Sequence, residues 1–66
     1  MIQLIVNGEQ KNIVSSTIKE LLLELKIEDK VMAAAVNMNV VKKDDWESFI
    51  LNENDRVEFL QFVGGG

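Results

Sequence analysis

Few residues in this 66-residue chain are equipped for covalent chemistry, and they sit at its end. The sequence holds no histidine and no cysteine. Without imidazole it lacks the commonest general base, the commonest metal ligand and every Ser/His or Cys/His nucleophile arrangement. Without thiols it has no disulfide scaffold, no thiolate chemistry and no cysteine-ligated zinc or iron–sulfur site. What remains is the ending Phe62-Val63-Gly64-Gly65-Gly66. A backbone without Cβ atoms occupies almost any φ/ψ, so it can be threaded extended through a channel where a branched side chain would jam. Three extended residues reach roughly 10 Å past the strand they follow, about the depth of an active-site cleft. Gly66 leaves its carbonyl carbon unshielded by any side chain. Glycine-rich ends also fray without consequence. Here the run follows directly on an apolar, strand-like segment with no polar spacer, and it reads as a group held out for another protein to work on.

The elements that must position such a tail form one small domain. At this size folding buries only about 60% of the surface that the unfolded chain exposes, so there is a single core. An apolar fraction of 47% is that of a globular chain rather than a disordered one. Eleven acidic residues against seven scattered Lys and Arg give a formal charge of −4. That balance lacks the basic footprint of a nucleic-acid binder. No apolar run approaches a membrane span, and Met1-Ile2-Gln3-Leu4 lacks the pattern of a signal peptide, so the expectation is a soluble cytoplasmic protein.

Ile2, Leu4 and Val6 alternate with Gln3 and Ile5, which is strand periodicity. Asn7-Gly8 tolerates the positive φ angles of a type I′ turn and predicts a hairpin, with the return strand in Glu9 to Val14. Thr17-Ile18-Lys19-Glu20 has the form of a capping box, with the Thr17 hydroxyl on the Glu20 amide and the Glu20 side chain reaching back to Thr17. Ile18, Leu21, Leu22 and Leu25 then recur at helical spacing, with Lys26 expected in the last turn, where a cation suits the dipole. The run Val31 to Val36 suits either a helix, on the propensity of Met32-Ala33-Ala34-Ala35, or a buried central strand. Asn37-Met38-Asn39 predicts a turn into Val40-Val41 and with it a second hairpin. Trp46, Phe49 and Ile50 stand at i, i+3 and i+4, as in a turn of helix that pins one end of the core; the indole serves as a core lid more readily than as a ligand-stacking surface. Arg56 to Val63 reads as the final strand, with Val57 and Phe59 on one face and Glu58, Leu60 and Phe62 on the other.

Hairpin, helix, second hairpin, short helical turn and last strand make an α+β layer, a mixed sheet of four to five strands with one main helix on one face. In this order the sequence resembles a branch of the ubiquitin-like β-grasp proteins, the ThiS family of sulfur carriers of thiamine thiazole biosynthesis. The resemblance is carried by Met1-Ile2-Gln3-Leu4 through Asn7-Gly8, Thr17-Ile18-Lys19-Glu20-Leu21-Leu22, Ala34-Ala35-Val36-Asn37, Val40-Val41 with Trp46 after it, Asp55-Arg56-Val57-Glu58-Phe59, and the glycine ending. It implies a β-grasp domain over residues 1–63 and a flexible tail over 64–66. It also implies that Gly66 is the residue adenylated by a ThiF-type enzyme and converted to a thiocarboxylate, with Gly64 and Gly65 threading the tail. Leu60, Phe62 and Val63 are then the expected partner-binding residues, because β-grasp carriers dock through the sheet surface beside the tail. The implied partners are the ThiF-type adenylating enzyme, a sulfur donor protein and a ThiG-type thiazole synthase, with no nucleic acid or membrane. The carrier itself is expected to bind no cofactor and no metal and to be no enzyme, ATP and Mg²⁺ belonging to the activating partner. The related molybdopterin synthase small subunits (MoaD-like carriers) share the fold and tail and stand second. A ubiquitin-like modifier joined to lysines, or a plain interaction module, is the reading from another class.

Overall fold

The computed structural model describes residues 1–61. Five strands form one mixed sheet: β1 (Ile2–Val6), β2 (Glu9–Ile13), β3 (Val31–Val36), β4 (Asn39–Val41) and β5 (Arg56–Gln61), in the spatial order β2-β1-β5-β3-β4. The last strand therefore lies in the middle, parallel to β1 and antiparallel to β3. One helix, α1 (Ile18–Glu24), contributes to the same hydrophobic core as the sheet. This is the α+β, β-grasp arrangement expected from the order of the elements, with the strand number settled at five.

Both hairpins close through two-residue turns with positive φ throughout: Asn7 at 49° and Gly8 at 85°, then Asn37 at 51° and Met38 at 72°. Such a turn matches the right-handed twist of the strands it joins. The first return strand ends at Ile13, one residue short of the expected Val14, which is exposed. At the helix start the Thr17 hydroxyl accepts the Glu20 amide at 3.2 Å, as a capping box requires. The carboxylate of Glu20 goes one residue further back than expected, accepting the Ser16 amide at 2.9 Å and the Ser16 hydroxyl at 2.8 Å.

A helix of seven residues is too short to persist alone, so its stability comes from the face it buries. Ile18, Leu21 and Leu22 are fully buried and Leu25 packs at the margin of the core. Each full burial contributes about 1.5–3 kcal/mol relative to exposure. Lys26 is not in the last turn. It sits past the Leu25 cap with φ at 61°, and its amide bonds to the Leu23 carbonyl while that of Ile27 bonds to the Leu22 carbonyl. That pair of bonds is a Schellman closure.

The undecided run Val31 to Val36 is a strand. Its register against β5 shifts between Val31 and Ala33, and the shift leaves Met32 exposed while Ala34 and Val36 point into the core. After β4 a 3₁₀ turn at Lys43–Asp45 carries Trp46 inward, where the indole N–H donates to the Val41 carbonyl at 2.9 Å. With 3% of its surface exposed, Trp46 is a core lid and leaves almost none of its ring for a ligand. Phe49 packs beside it, but Ile50 does not: its backbone bridges to Thr17, its side chain is exposed, and Leu51 fills the core instead. Among the described residues no helix is long and apolar enough to cross a membrane.

Candidate functional site

The site is built around β5, the strand that leads into the glycine run. Val57 and Phe59 are buried and Glu58 and Leu60 point away from the core, so the strand's two faces divide as its alternation predicts. Leu60 is 61% exposed. Phe62, Val63, Gly64, Gly65 and Gly66 lie outside the described residues, so of the six candidate residues only Leu60 is placed by the structure.

Neighbours from two other strands surround Leu60. Across β3 the register sets Ala33 opposite Leu60 and Ala35 opposite Glu58, and across β4 it sets Val40 opposite Ala35. Ala33, Ala35, Val40, Glu58 and Leu60 thus line a shallow depression of about 310 Å³ on the sheet face away from α1. Val40 is 78% exposed. Small alanines between two large apolar side chains make a flat floor with raised edges, mostly apolar and bordered by Glu58. Ala33, Ala35 and Val40 are members of the patch that strand alternation within β5 could not supply. The signal that finds them is cross-strand register, which needs the sheet order.

Asparagines at the two hairpin turns clamp β5 from opposite sides. On the β3 side the Asn37 amide donates to the Arg56 carbonyl at 2.7 Å, and the Asn37 side chain accepts the Arg56 amide and donates to Asp55, each at 3.0 Å. On the β1 side the Asn7 amide donates to the Val57 carbonyl at 2.9 Å, and the Asn7 side-chain oxygen accepts the Phe59 amide at 2.8 Å. The Asn37 bonds hold the start of β5 at Asp55 and Arg56, and the Asn7 bonds hold it at Val57 and Phe59, further along toward the glycines.

The described residues include no histidine and no cysteine. No group of three or more His, Cys, Asp or Glu side chains is placed among them to hold a metal ion. Lys19 pairs with Glu28 on the wall of a charged recess that Lys43 and Trp46 also line, on a different set of elements from β5.

Comparison with known proteins bears on the same features. The model of the ThiS family matches residues 4–66, which takes in both hairpins, the helix, β5 and the glycine run. The sulfur carrier protein ThiS of Bacillus subtilis is 31% identical over 52 residues, 79% of each chain. A thiazole synthase of Paramagnetospirillum magneticum is 34% identical over 65 residues, 97% of this chain, which spans 20% of that protein's length. Among solved structures, the crystal structure of the thiamine biosynthesis protein ThiS from Geobacter metallireducens superposes with a TM-score of 0.80 at 30% identity, covering 98% of this chain and all of the other. The solution structure of a thiamine biosynthesis protein from the same organism gives 0.77 at 29% identity, over 98% and 88% of the two chains. By the family match over nearly its whole length and by its likeness to these relatives, the chain belongs to the ThiS family.

Proposed function

We propose that this protein is a sulfur carrier of thiamine thiazole biosynthesis whose C-terminal Gly66 is the carrying group. The observation that carries the reading is the ThiS family match running through residue 66, because it extends the likeness from the domain to the tail. A free carboxylate is a poor acyl donor, since its leaving group would be oxide. In the proposed cycle a ThiF-type enzyme supplies the remedy: a Gly66 carboxylate oxygen attacks the α-phosphorus of ATP and pyrophosphate leaves, giving an acyl adenylate. Sulfide released from a donor protein's persulfide by a thiol, which ends as a disulfide with the donor, then adds to the acyl carbon as the bond to AMP breaks, leaving a thiocarboxylate that delivers its sulfur to a thiazole synthase. The absence of His and Cys from the sequence supports a carrier over a catalyst. The thiazole synthase relative supports that enzyme as a partner, because a segment resembling nearly this whole chain is part of its length. Residues 64–66 serve in this reading as a threading tail and residues 1–63 as the domain that offers it, with Leu60, Phe62 and Val63 at the docking surface.

Two measurements test the proposal. Intact-mass analysis of protein purified from its native cell is expected to find a species with one oxygen replaced by sulfur, whereas a ladder of isopeptide-linked species would indicate a protein modifier. Deleting Gly66 withdraws the reacting carbon by about 3.5 Å, and misplacement of even 1 Å can cost on the order of 100-fold. ATP–pyrophosphate exchange with the activating enzyme should therefore be abolished while the fold survives. Normal exchange by the shortened chain would sink the assignment of Gly66.

A further inference from the structure

We infer that Asn7 is a positioning residue for the strand that leads into the tail, its side-chain oxygen standing in for a backbone carbonyl to hold β5 beside β1 at Phe59. The inference rests on the sulfur-carrier reading and adds to it a residue far from the tail in sequence. Its basis is the ladder between β1 and β5. In that parallel pair the Ile5 amide donates to the Asp55 carbonyl at 3.0 Å, and two residues on the Asn7 amide donates to the Val57 carbonyl at 2.9 Å. Continued one step, the parallel pattern would have the Phe59 amide donate to the backbone carbonyl of residue 7. Residue 7 cannot serve in that way, because at φ 49° it has already entered the hairpin turn and strand pairing has ended at Val6 with Val57. Its side chain takes over: the Asn7 Oδ1 accepts the Phe59 amide at 2.8 Å. One residue therefore turns the chain and still completes the rung it abandons. Asparagine suits both tasks, since it tolerates the left-handed region and carries a carbonyl on a short side chain.

The consequence falls on the segment between Phe59 and the glycines. On its other side β5 is paired with β3, but that pairing is irregular here, with the register shifting between Val31 and Ala33 opposite Leu60 and Gln61. On the β1 side the bond from Phe59 to Asn7 is the last that the described residues make, and beyond it Leu60 and Gln61 are paired with β3 alone. Removing it leaves Leu60 and Gln61 held by the irregular β3 pairing alone, which gives that end of the strand more freedom. Each freed residue has to be ordered again when an adenylating enzyme captures the tail. Ordering on capture weakens productive binding without altering the geometry once bound, so the loss belongs in KM rather than kcat.

The test compares wild type with Asn7→Gly and Asn7→Asp in the full chain. Glycine accepts the turn's positive φ and removes only the acceptor, whereas aspartate keeps an acceptor in the same place. Amide hydrogen exchange should show the Phe59 amide losing protection in Asn7→Gly while the Ile5 amide, which belongs to the same ladder, keeps its own. In ATP–pyrophosphate exchange with a ThiF-type enzyme, Asn7→Gly is expected to raise the KM for the carrier about tenfold and to leave kcat within about twofold. Asn7→Asp should restore both the protection and the KM. Wild-type exchange together with an unchanged KM for Asn7→Gly would overturn the positioning role alone, as would a fall in kcat at unchanged KM. A wild-type chain that supports no exchange with any ThiF-type enzyme would overturn the sulfur-carrier reading and this inference with it.

Discussion

Glu20 illustrates how a side chain at a helix start is committed twice. Its Oε1 takes the Ser16 amide at 2.9 Å and the Ser16 hydroxyl at 2.8 Å, while its own amide is held by Thr17. The backbone bond from Ser16 comes first among the causes that hold its carboxyl below the ordinary value of 4.5, followed by the Ser16 hydroxyl. A folded-state pKa depressed in this way means that the stabilisation is present above the unfolded pKa and is lost as the pH falls through the lower folded one. Glu20→Gln keeps an acceptor and removes the charge. Urea unfolding at a series of pH values should find wild type the more stable at neutral pH, with the two proteins converging as the pH drops below 4.5. A gap that persisted into acid would show that hydrogen-bond geometry, not charge, is what Glu20 supplies. The pattern Thr17 to Glu20 was legible in the sequence, but the carboxylate's reach to Ser16 was not, because the choice between adjacent amides depends on how the chain enters the helix.

At the level of elements, helix α1 ends through its backbone rather than through a charge. The Schellman closure places Lys26 at φ 61°, in a region that costs an L-residue roughly 1–2 kcal/mol and glycine almost nothing. Part of that gain is offset by the greater freedom of glycine in the unfolded chain. Lys26→Gly is therefore expected to stabilise the fold by about 0.5–1 kcal/mol, measured as a higher denaturation midpoint at unchanged slope. A lower midpoint would mean that the Lys26 side chain contributes packing or charge beyond its backbone. Strand β3 presents the opposite case, since Val31 to Val36 is helix-compatible by propensity and becomes a strand because it lies between β5 and β4. Its burial does not alternate cleanly because of the register shift at Met32, and no period of two can be read from its sequence because all six residues are apolar.

Across the whole molecule, the sheet divides into a core face that α1 and Trp46 cover and an outer face that carries Leu60, Ala33, Ala35 and Val40. Leu60 makes no contribution to the core cluster, so an acidic replacement there should leave folding intact. Leu60→Glu is expected to weaken binding to a ThiF-type enzyme and to a thiazole synthase by more than about 1 kcal/mol each, the ordinary mark of a contributing interface residue. Calorimetric titration against both partners, alongside an unfolding curve, measures the two effects separately. Unchanged affinity in a folded variant would remove this face from the interface. A lost fold would contradict the outward placement of Leu60.

By itself the sequence determined which residue types this chain lacks and most of its local elements. Those conclusions rest on residue types and on short spacings: no His or Cys, a glycine ending, Asn-Gly at the first hairpin, a capping box before Ile18, and alternation that turns Leu60 away from Val57 and Phe59. Each is decided within a few residues of chain. Tertiary structure alone decided what depends on pairing between distant segments. The insertion of β5 between β1 and β3 makes Val31 to Val36 a strand, brings Ala33, Ala35 and Val40 to the side of Leu60, and puts the Asn7 side chain on the Phe59 amide, 52 residues away. Leu51 rather than Ile50 fills the core for the same reason, since the Thr17–Ile50 bridge sets the phase of that segment. Register is a property of two strands at once, and no periodicity within one of them contains it.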